Sequence, residues 1–214
     1  MTIRIDFHVH TKYSKDSLTE PKELAAKAKK LGIVPAITDH DNMGAHQDFR
    51  KMHHPFIPGE EIATDSGDLI GLYINEPIPK KTPFLDALDA IHEQAGLAYL
   101  PHMFDVTRSG VSRSELASKA DIIEVFNARS VMKNFNEKAL EFAKKTGIPG
   151  AAGSDSHSLF EFGTTYTLLP SFDLENPKEL LKALPKAEIF GKPAPIFVKG
   201  TTAAVKIWKK ITRK

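Results

Sequence analysis

Asp6-Phe7-His8-Val9-His10 is the stretch on which the reading of this chain turns. It closes the apolar run Ile3–Phe7, which has the length and composition of a strand. In an extended segment, residues two apart point to the same side. His8 and His10 therefore project together from one strand end, where both can converge on a single cation. The next stretch outward reads as a helix, with Leu24, Ala25, Ala28 and Leu31 at helical spacing. Pro21 suits its first turn and Gly32 its stop. Ile33–Thr38 follows as a strand, with Pro35 expected where no ladder donor is needed, and it runs into Asp39-His40.

The alternation continues to the far end of the chain. Phe56–Ala63, which contains Pro58-Gly59-Glu60-Glu61, and Leu69–Ile74 read as a strand pair joined by Asp65, Ser66, Gly67 and Asp68. Thr82–Gln94 is helical, and Leu97–Leu100 is a strand closed by Pro101-His102. Ser112–Lys119 is a short helix, Ile122–Phe126 a strand, and Asn136–Lys145 a helix stopped by Gly147. Ile148–Ala152 ends on Gly153-Ser154-Asp155-Ser156-His157, again with ligand-type residues two apart. Thr165–Leu169, helix Pro177–Leu184 and Ala187–Phe190 complete the pattern, which is that of a parallel α/β chain. No repeat or composition shift marks a linker. About seven strand–helix units predict a single-domain barrel over 1–214, with its chemistry at the C-terminal ends of the strands.

Composition narrows the function. Twenty-nine Lys and Arg against 27 Asp and Glu leave a net charge of +2, which does not favour a nucleic-acid partner. The absence of Cys excludes disulfides, thiolate metal sites and a cysteine nucleophile. No apolar run approaches the roughly 18 residues of a membrane span, and the first residues are not a signal peptide, so a soluble cytoplasmic protein is expected. Imidazole and carboxylate without thiolate suit Zn²⁺, Mn²⁺ or Fe²⁺, and the donors outnumber what one tetrahedral ion takes. Several divalent ions are therefore expected. Arg108 and Arg129 follow strand ends and are candidates to grip phosphate oxygens. Asp39 and Asp41 flank His40, either to orient a ligand or to form a turn, and Glu124 faces the site or caps a helix. His46, His53, His54 and His92 are expected at the surface or behind the site. The tail 198–214 is expected to be a basic helix packed on the barrel, with contact to anionic lipid or nucleic acid as the alternative.

In this order the motifs resemble the PHP (polymerase and histidinol phosphatase) domain family over nearly the whole chain. The resemblance implies a distorted (β/α)7 barrel and a site for two or three divalent ions (Mn, Zn or Fe). His8, His10, Glu61 and Asp155 would hold one ion, Glu61 and His102 a second, and Asp16, His40 and His157 a third. The implied activity is hydrolysis of a small phosphorylated substrate, a nucleotide or sugar phosphate, by a metal-bound hydroxide, with Glu61, His102, Asp155 and Arg129 taking part. A histidinol-phosphatase-like monoesterase, a nucleic-acid phosphodiesterase and a non-catalytic metal-binding protein are the alternatives. Gly-x-Glu spacing selects Glu61 over Glu60, which would then point to the opposite layer. Two positions depart from the pattern. Where some relatives place a further His after the strand pair, this chain offers Asp68 or Asn75, and where others carry His it has Asn127.

Overall fold

A computed structural model describes residues 1–130, 132–195 and 197–212. Its strands are β1 (Thr2–Val9), β2 (Ile33–Ile37), β3 (Ile57–Ala63), β4 (Asp68–Leu72), β5 (Leu97–Leu100), β6 (Ile122–Asn127), β7 (Gly150–Gly153), β8 (Tyr166–Pro170) and β9 (Glu188–Phe190). The helices are α1 (Pro21–Leu31), α2 (Gly44–Lys51), α3 (Phe84–Glu93), α4 (Ser114–Ala117), α5 (Lys133–Thr146), α6 (Pro177–Ala183) and α7 (Phe197–Thr212). All nine strands join one sheet in the order β7-β6-β5-β4-β3-β2-β1-β8-β9.

The sheet curls until β7 meets β1. Asp155 N–H donates to His8 O at 2.7 Å, His10 N–H to Ser156 O at 2.9 Å, and Ser154 N–H to Asp6 Oδ1 at 2.8 Å. Gly153 permits this approach, because a Cβ there would stand 2.4 Å from the His8 Cβ. The expected distorted barrel is thus present, nearly closed, with nine strands in mixed directions. β4 runs antiparallel to both β3 and β5, and β8 is antiparallel to β1 and β9. Strand direction leaves no mark on an apolar period, so the sequence pattern reads as parallel throughout. Pro35 lies in an inner strand opposite Asp6, where the β1 register becomes irregular.

Local sequence accounts for most elements. α1 begins at Pro21 and ends at Gly32 in the left-handed region, φ 64°, which glycine enters without steric cost. Its buried Leu24 and Ala28 join Phe49 of α2 against Val9, Ile33 and Ile37. α3 buries Phe84, Leu88 and Ile91 against Leu69, Ala98 and Leu100. A third cluster contains Phe7 and Tyr99, with ring centroids 5.9 Å apart. Each Leu, Ile, Val or Phe side chain removed from water contributes about 1.5–3 kcal/mol, which makes these clusters the frame that holds the strand ends in place.

The tail forms a helix seated on the protein, α7, but the face it shows to solvent is apolar as well as basic. It buries Val198 and Lys209 and leaves Ile207, Trp208 and Ile211 exposed. Lys209 Nζ donates to the carbonyls of Lys12, Ser14 and Ser17 at 2.7, 2.6 and 2.5 Å, so its charge is satisfied inside the protein. Arg213 and Lys214, also assigned to that tail, lie outside the described residues. No helix among the described residues is long and apolar enough to cross a membrane.

Candidate metal centre

His8 stands near the end of β1 and His10 just beyond it. His40 follows β2, Glu61 lies in β3, His102 follows β5, and Asp155 and His157 follow β7. The bridge between His40 and Glu61 prolongs the β2–β3 pairing and sets those two side by side. Asp16 arrives on the loop between β1 and α1. All eight sequence candidates meet at one mouth, seven of them buried and His40 half-buried.

Glu61 is the hub. Its Oε2 lies 3.3 Å from both His8 Nε2 and His10 Nε2 and 2.9 Å from His40 Nδ1, and its Oε1 lies 3.0 Å from His102 Nε2. Asp155 Oδ1 is 3.3 Å from His10 Nε2 and 3.7 Å from His8 Nε2. Asp16 stands 3.3 Å from His157 Nε2 and 3.6 Å from His40 Nε2. Among the described residues, three groups are close enough to share an ion: His8, His10 and Asp155; His10, His40 and His157; and Glu61, Asp68 and His102.

These donors fit divalent cations. Bonds of about 2.1 Å to a tetrahedral ion set its ligand atoms roughly 3.4 Å apart, close to the spacings just given. Glu61 Oε2, Asp155 Oδ1 and Asp16 Oδ1 are buried with no hydrogen-bond partner, a costly state for carboxylate oxygens unless positive charge faces them. The imidazoles are held in fixed orientations as well. His8 Nδ1 meets Glu124 Oε1 at 3.1 Å and His10 Nδ1 meets Ser14 Oγ at 3.0 Å. Nδ1–H donation in both leaves the two Nε2 atoms facing each other at 3.0 Å, where their lone pairs repel unless a proton or cation lies between. Titration follows that geometry. Burial works against charge at His8, but the carboxylates of Asp155, Glu61 and Glu124 lift it well above its ordinary value. At His10, burial and the neighbouring His157 and His40 push the imidazole well below. Burial would raise Glu61, yet His40 and His8 hold it well below the usual carboxylate range.

A surrounding layer fixes the donors. Asp155 Oδ2 is taken by Arg108 Nη2 and by Asn127 Nδ2, which leaves Oδ1 for the mouth. Asp39 accepts from Thr11 N–H, Thr11 Oγ1 and Ser14 Oγ at 2.6–2.7 Å, and so acts through Ser14, whose Oγ meets both His10 Nδ1 and the His40 backbone N–H. Asp41 instead accepts from Ala63 N–H. His102 and Asp155 carry left-handed backbones, φ 31° and 53°, strain of the kind that persists where surrounding structure over-determines it.

Several open points of the sequence acquire a place. Glu60 points away and accepts from Ile78 N–H, while burial raises it to about 7. Of Asp68 and Asn75, Asp68 joins Glu61 and His102. It opens β4, and because β4 is antiparallel its first residue lies at the mouth; a search confined to C-terminal strand ends passes over it. Glu124 faces the site. Arg108 also reaches it, whereas the buried Arg129 pairs through Nε with Glu161 and through Nη2 with Val198 O and Thr202 Oγ1, its Nη1 2.8 Å from His157 Nδ1. His46 is buried behind β2 and β3 on Gly59 O, His92 pairs with Asp121, and His53 is exposed.

The PHP domain family matches residues 6–93, and a PHP-associated family matches 133–189. An uncharacterized protein of Methanocaldococcus jannaschii is 40% identical over 186 residues, covering 83% of this chain and 75% of that protein. A two-domain protein of Bacteroides vulgatus, described as containing a predicted PHP-like metal-dependent phosphoesterase, shares the fold with a TM-score of 0.70 at 16% identity. The match covers 90% of this chain and 65% of that longer one. PsfC of Pseudomonas syringae superposes with a TM-score of 0.67 at 13% identity, over 99% of each chain. The first match spans His8, His10, Asp16, His40 and Glu61, and the second spans Asp155 and His157. With those donors inside the matched segments and gathered at one mouth, the chain belongs to the PHP domain family.

Proposed function

We propose that this protein is a metal-dependent phosphoesterase acting on a small phosphorylated substrate, a nucleotide or a sugar phosphate. The observation that carries the reading is the set of buried carboxylate oxygens Glu61 Oε2, Asp155 Oδ1 and Asp16 Oδ1, which accept no hydrogen bond and lie 2.9–3.7 Å from the imidazoles of His8, His10, His40 and His157 at one barrel mouth. His8, His10, Glu61 and Asp155 would hold one cation, Glu61, His102 and Asp68 a second, and Asp16, His40 and His157 a third. Mn²⁺, Zn²⁺ or Fe²⁺ suits these donors, and when bound such ions acidify water and neutralise phosphate charge.

The chain's own groups supply position and proton bookkeeping. Glu124 keeps the His8 proton on Nδ1 and Ser14 does the same for His10, while Arg129 Nη1, 2.8 Å from His157 Nδ1, orients that ring so that its Nε2 faces Asp16. Arg108 stands partly exposed on Asp155 and is the cationic fork nearest the mouth, placed to receive a phosphate oxygen. Arg129 serves the reaction through His157, since its other donors are already taken by Glu161 and α7.

Phosphate release is the test, with full-length protein loaded with Mn²⁺, Zn²⁺ or Fe²⁺ and offered p-nitrophenyl phosphate, mononucleotides and sugar phosphates. Cation-dependent hydrolysis, reduced at least ~10²-fold in Asp155→Asn, is the expected result. A metal-replete protein that cleaves none of them defeats the reading.

A further inference from the structure

The most unusual surface of the molecule lies on α7. Read at helical spacing, Phe197, Gly200, Ala204, Ile207, Trp208 and Ile211 form one continuous stripe, and every one of them is exposed. Trp208 is 53%, Ile207 62% and Ile211 68% exposed, while Lys209 on the opposite face is only 5% exposed. The helix is mounted inside out relative to an ordinary surface helix, which hides its apolar stripe and shows its charges. The stripe does not end with α7, because Phe160 is also exposed and its ring lies 6.0 Å from that of Phe197. A contiguous apolar patch of this kind marks a surface that meets something other than water.

Charge identifies the occupant. From Phe197 to Lys214 the chain carries six Lys and Arg and no Asp or Glu. Lys206 and Lys210 are exposed and line one edge of the stripe, on the side of Ile207. A second copy of this chain would bring the same stripe with the same sign, and two all-cationic helices repel. A single-stranded nucleic acid could stack on Trp208 but has no use for two isoleucines. An anionic bilayer satisfies both halves of the pattern, since the acyl boundary takes the apolar stripe and the headgroups take the lysines. At 16 residues α7 is suited to lie in the interface, in keeping with the absence of any spanning helix among the described residues.

We propose that the outer face of α7 is a docking surface for anionic lipid bilayers. Its inner face stays on the protein through Lys209 and through the Arg129 bonds to Val198 O and Thr202. Docking therefore needs no unfolding. The proposal is independent of the chemistry at the mouth.

Trp208 is the only tryptophan in the chain, so its fluorescence reports on α7 alone. The test uses full-length protein mixed with vesicles of phosphatidylglycerol and phosphatidylcholine, or of phosphatidylcholine alone. Co-sedimentation at least ~10-fold greater on the anionic vesicles, a blue shift of Trp208 emission and reversal by salt are expected. Ile207→Ser with Ile211→Ser should abolish both signals without changing the circular dichroism, and Lys206→Glu with Lys210→Glu should remove the preference for anionic lipid. Unchanged emission on anionic vesicles overturns the proposal. So does a dimer in which Trp208 is already shielded from iodide, or a shift produced by a single-stranded oligonucleotide and not by vesicles.

Discussion

Glu124 makes four contacts with two oxygens. Oε1 accepts from His8 Nδ1 at 3.1 Å and Tyr99 OH at 3.0 Å, and Oε2 accepts from His102 N–H at 2.6 Å and Asn127 Nδ2 at 2.8 Å. An amide in its place turns one acceptor into a donor facing donors. Glu124→Gln should therefore weaken cation binding about 10- to 100-fold, measured by competition with a chromophoric chelator; an unchanged affinity would remove Glu124 from the site. His46 offers a pH test away from the mouth. Its Nε2 is 2.9 Å from Gly59 O while Nδ1 is buried with no partner, so a second proton has nowhere to bond. Burial lowers its pKa, against the pull of the Ile37 and Gly59 carbonyls. A folded value below the unfolded one means that this group's stabilisation is complete above about pH 6.5 and is lost as pH falls through the depressed folded value. The unfolding free-energy difference between the wild type and His46→Gln should thus shrink from about pH 7 to about pH 5 in urea titrations. A constant difference would show that His46 titrates normally.

The loop that delivers Asp16 is an element held from outside. Three of its carbonyls, those of Lys12, Ser14 and Ser17, converge on Lys209 of α7. Lys209→Met leaves them facing a thioether, and the loss of charge-assisted bonds predicts destabilisation of about 2–3 kcal/mol in urea unfolding. Faster amide exchange across residues 11–19 should accompany it; exchange confined to α7 would mean that the loop stands alone. That dependence is not legible in sequence, because nothing in Lys209 separates it from the lysines on either side. Other elements were plain. Pro21 and Gly32 bracket α1 as written, and β5 has the bounds Leu97–Leu100 expected of it. α2 was hidden in the polar stretch from Asn42 to His54, since its start has no side-chain cap and its buried face includes a histidine. Asp68 was left beside Asn75 as an open choice because a reversed strand inverts which of its ends faces the mouth.

At the scale of the molecule, the gathering of His8, His40, His102 and His157 was readable because strand ends of one sheet share one face. The nine-strand order and the β1–β7 seam were not, since they depend on direction and on a close approach at Gly153. The assembled mouth also sets the response of the whole fold to metal. Glu61 Oε2, Asp155 Oδ1 and Asp16 Oδ1 are buried without hydrogen bonds in the folded chain, and unfolding disperses them among sequence positions far apart. Cations should therefore bind the folded state far better than the unfolded one and stabilise it by mass action. An ion held at about 100 times its dissociation constant adds about 2.7 kcal/mol per site. For a chain of this size, each filled site should raise the melting temperature by roughly 5–10 °C. Thermal denaturation with chelator and with added Mn²⁺ or Zn²⁺ measures it. In His40→Ala part of the rise should vanish and part survive, because His8, His10, Glu61 and Asp155 remain. A melting temperature indifferent to both chelator and cation would mean that the donors pack as ordinary buried polar groups, and loss of the entire rise in His40→Ala would mean a single linked site rather than several.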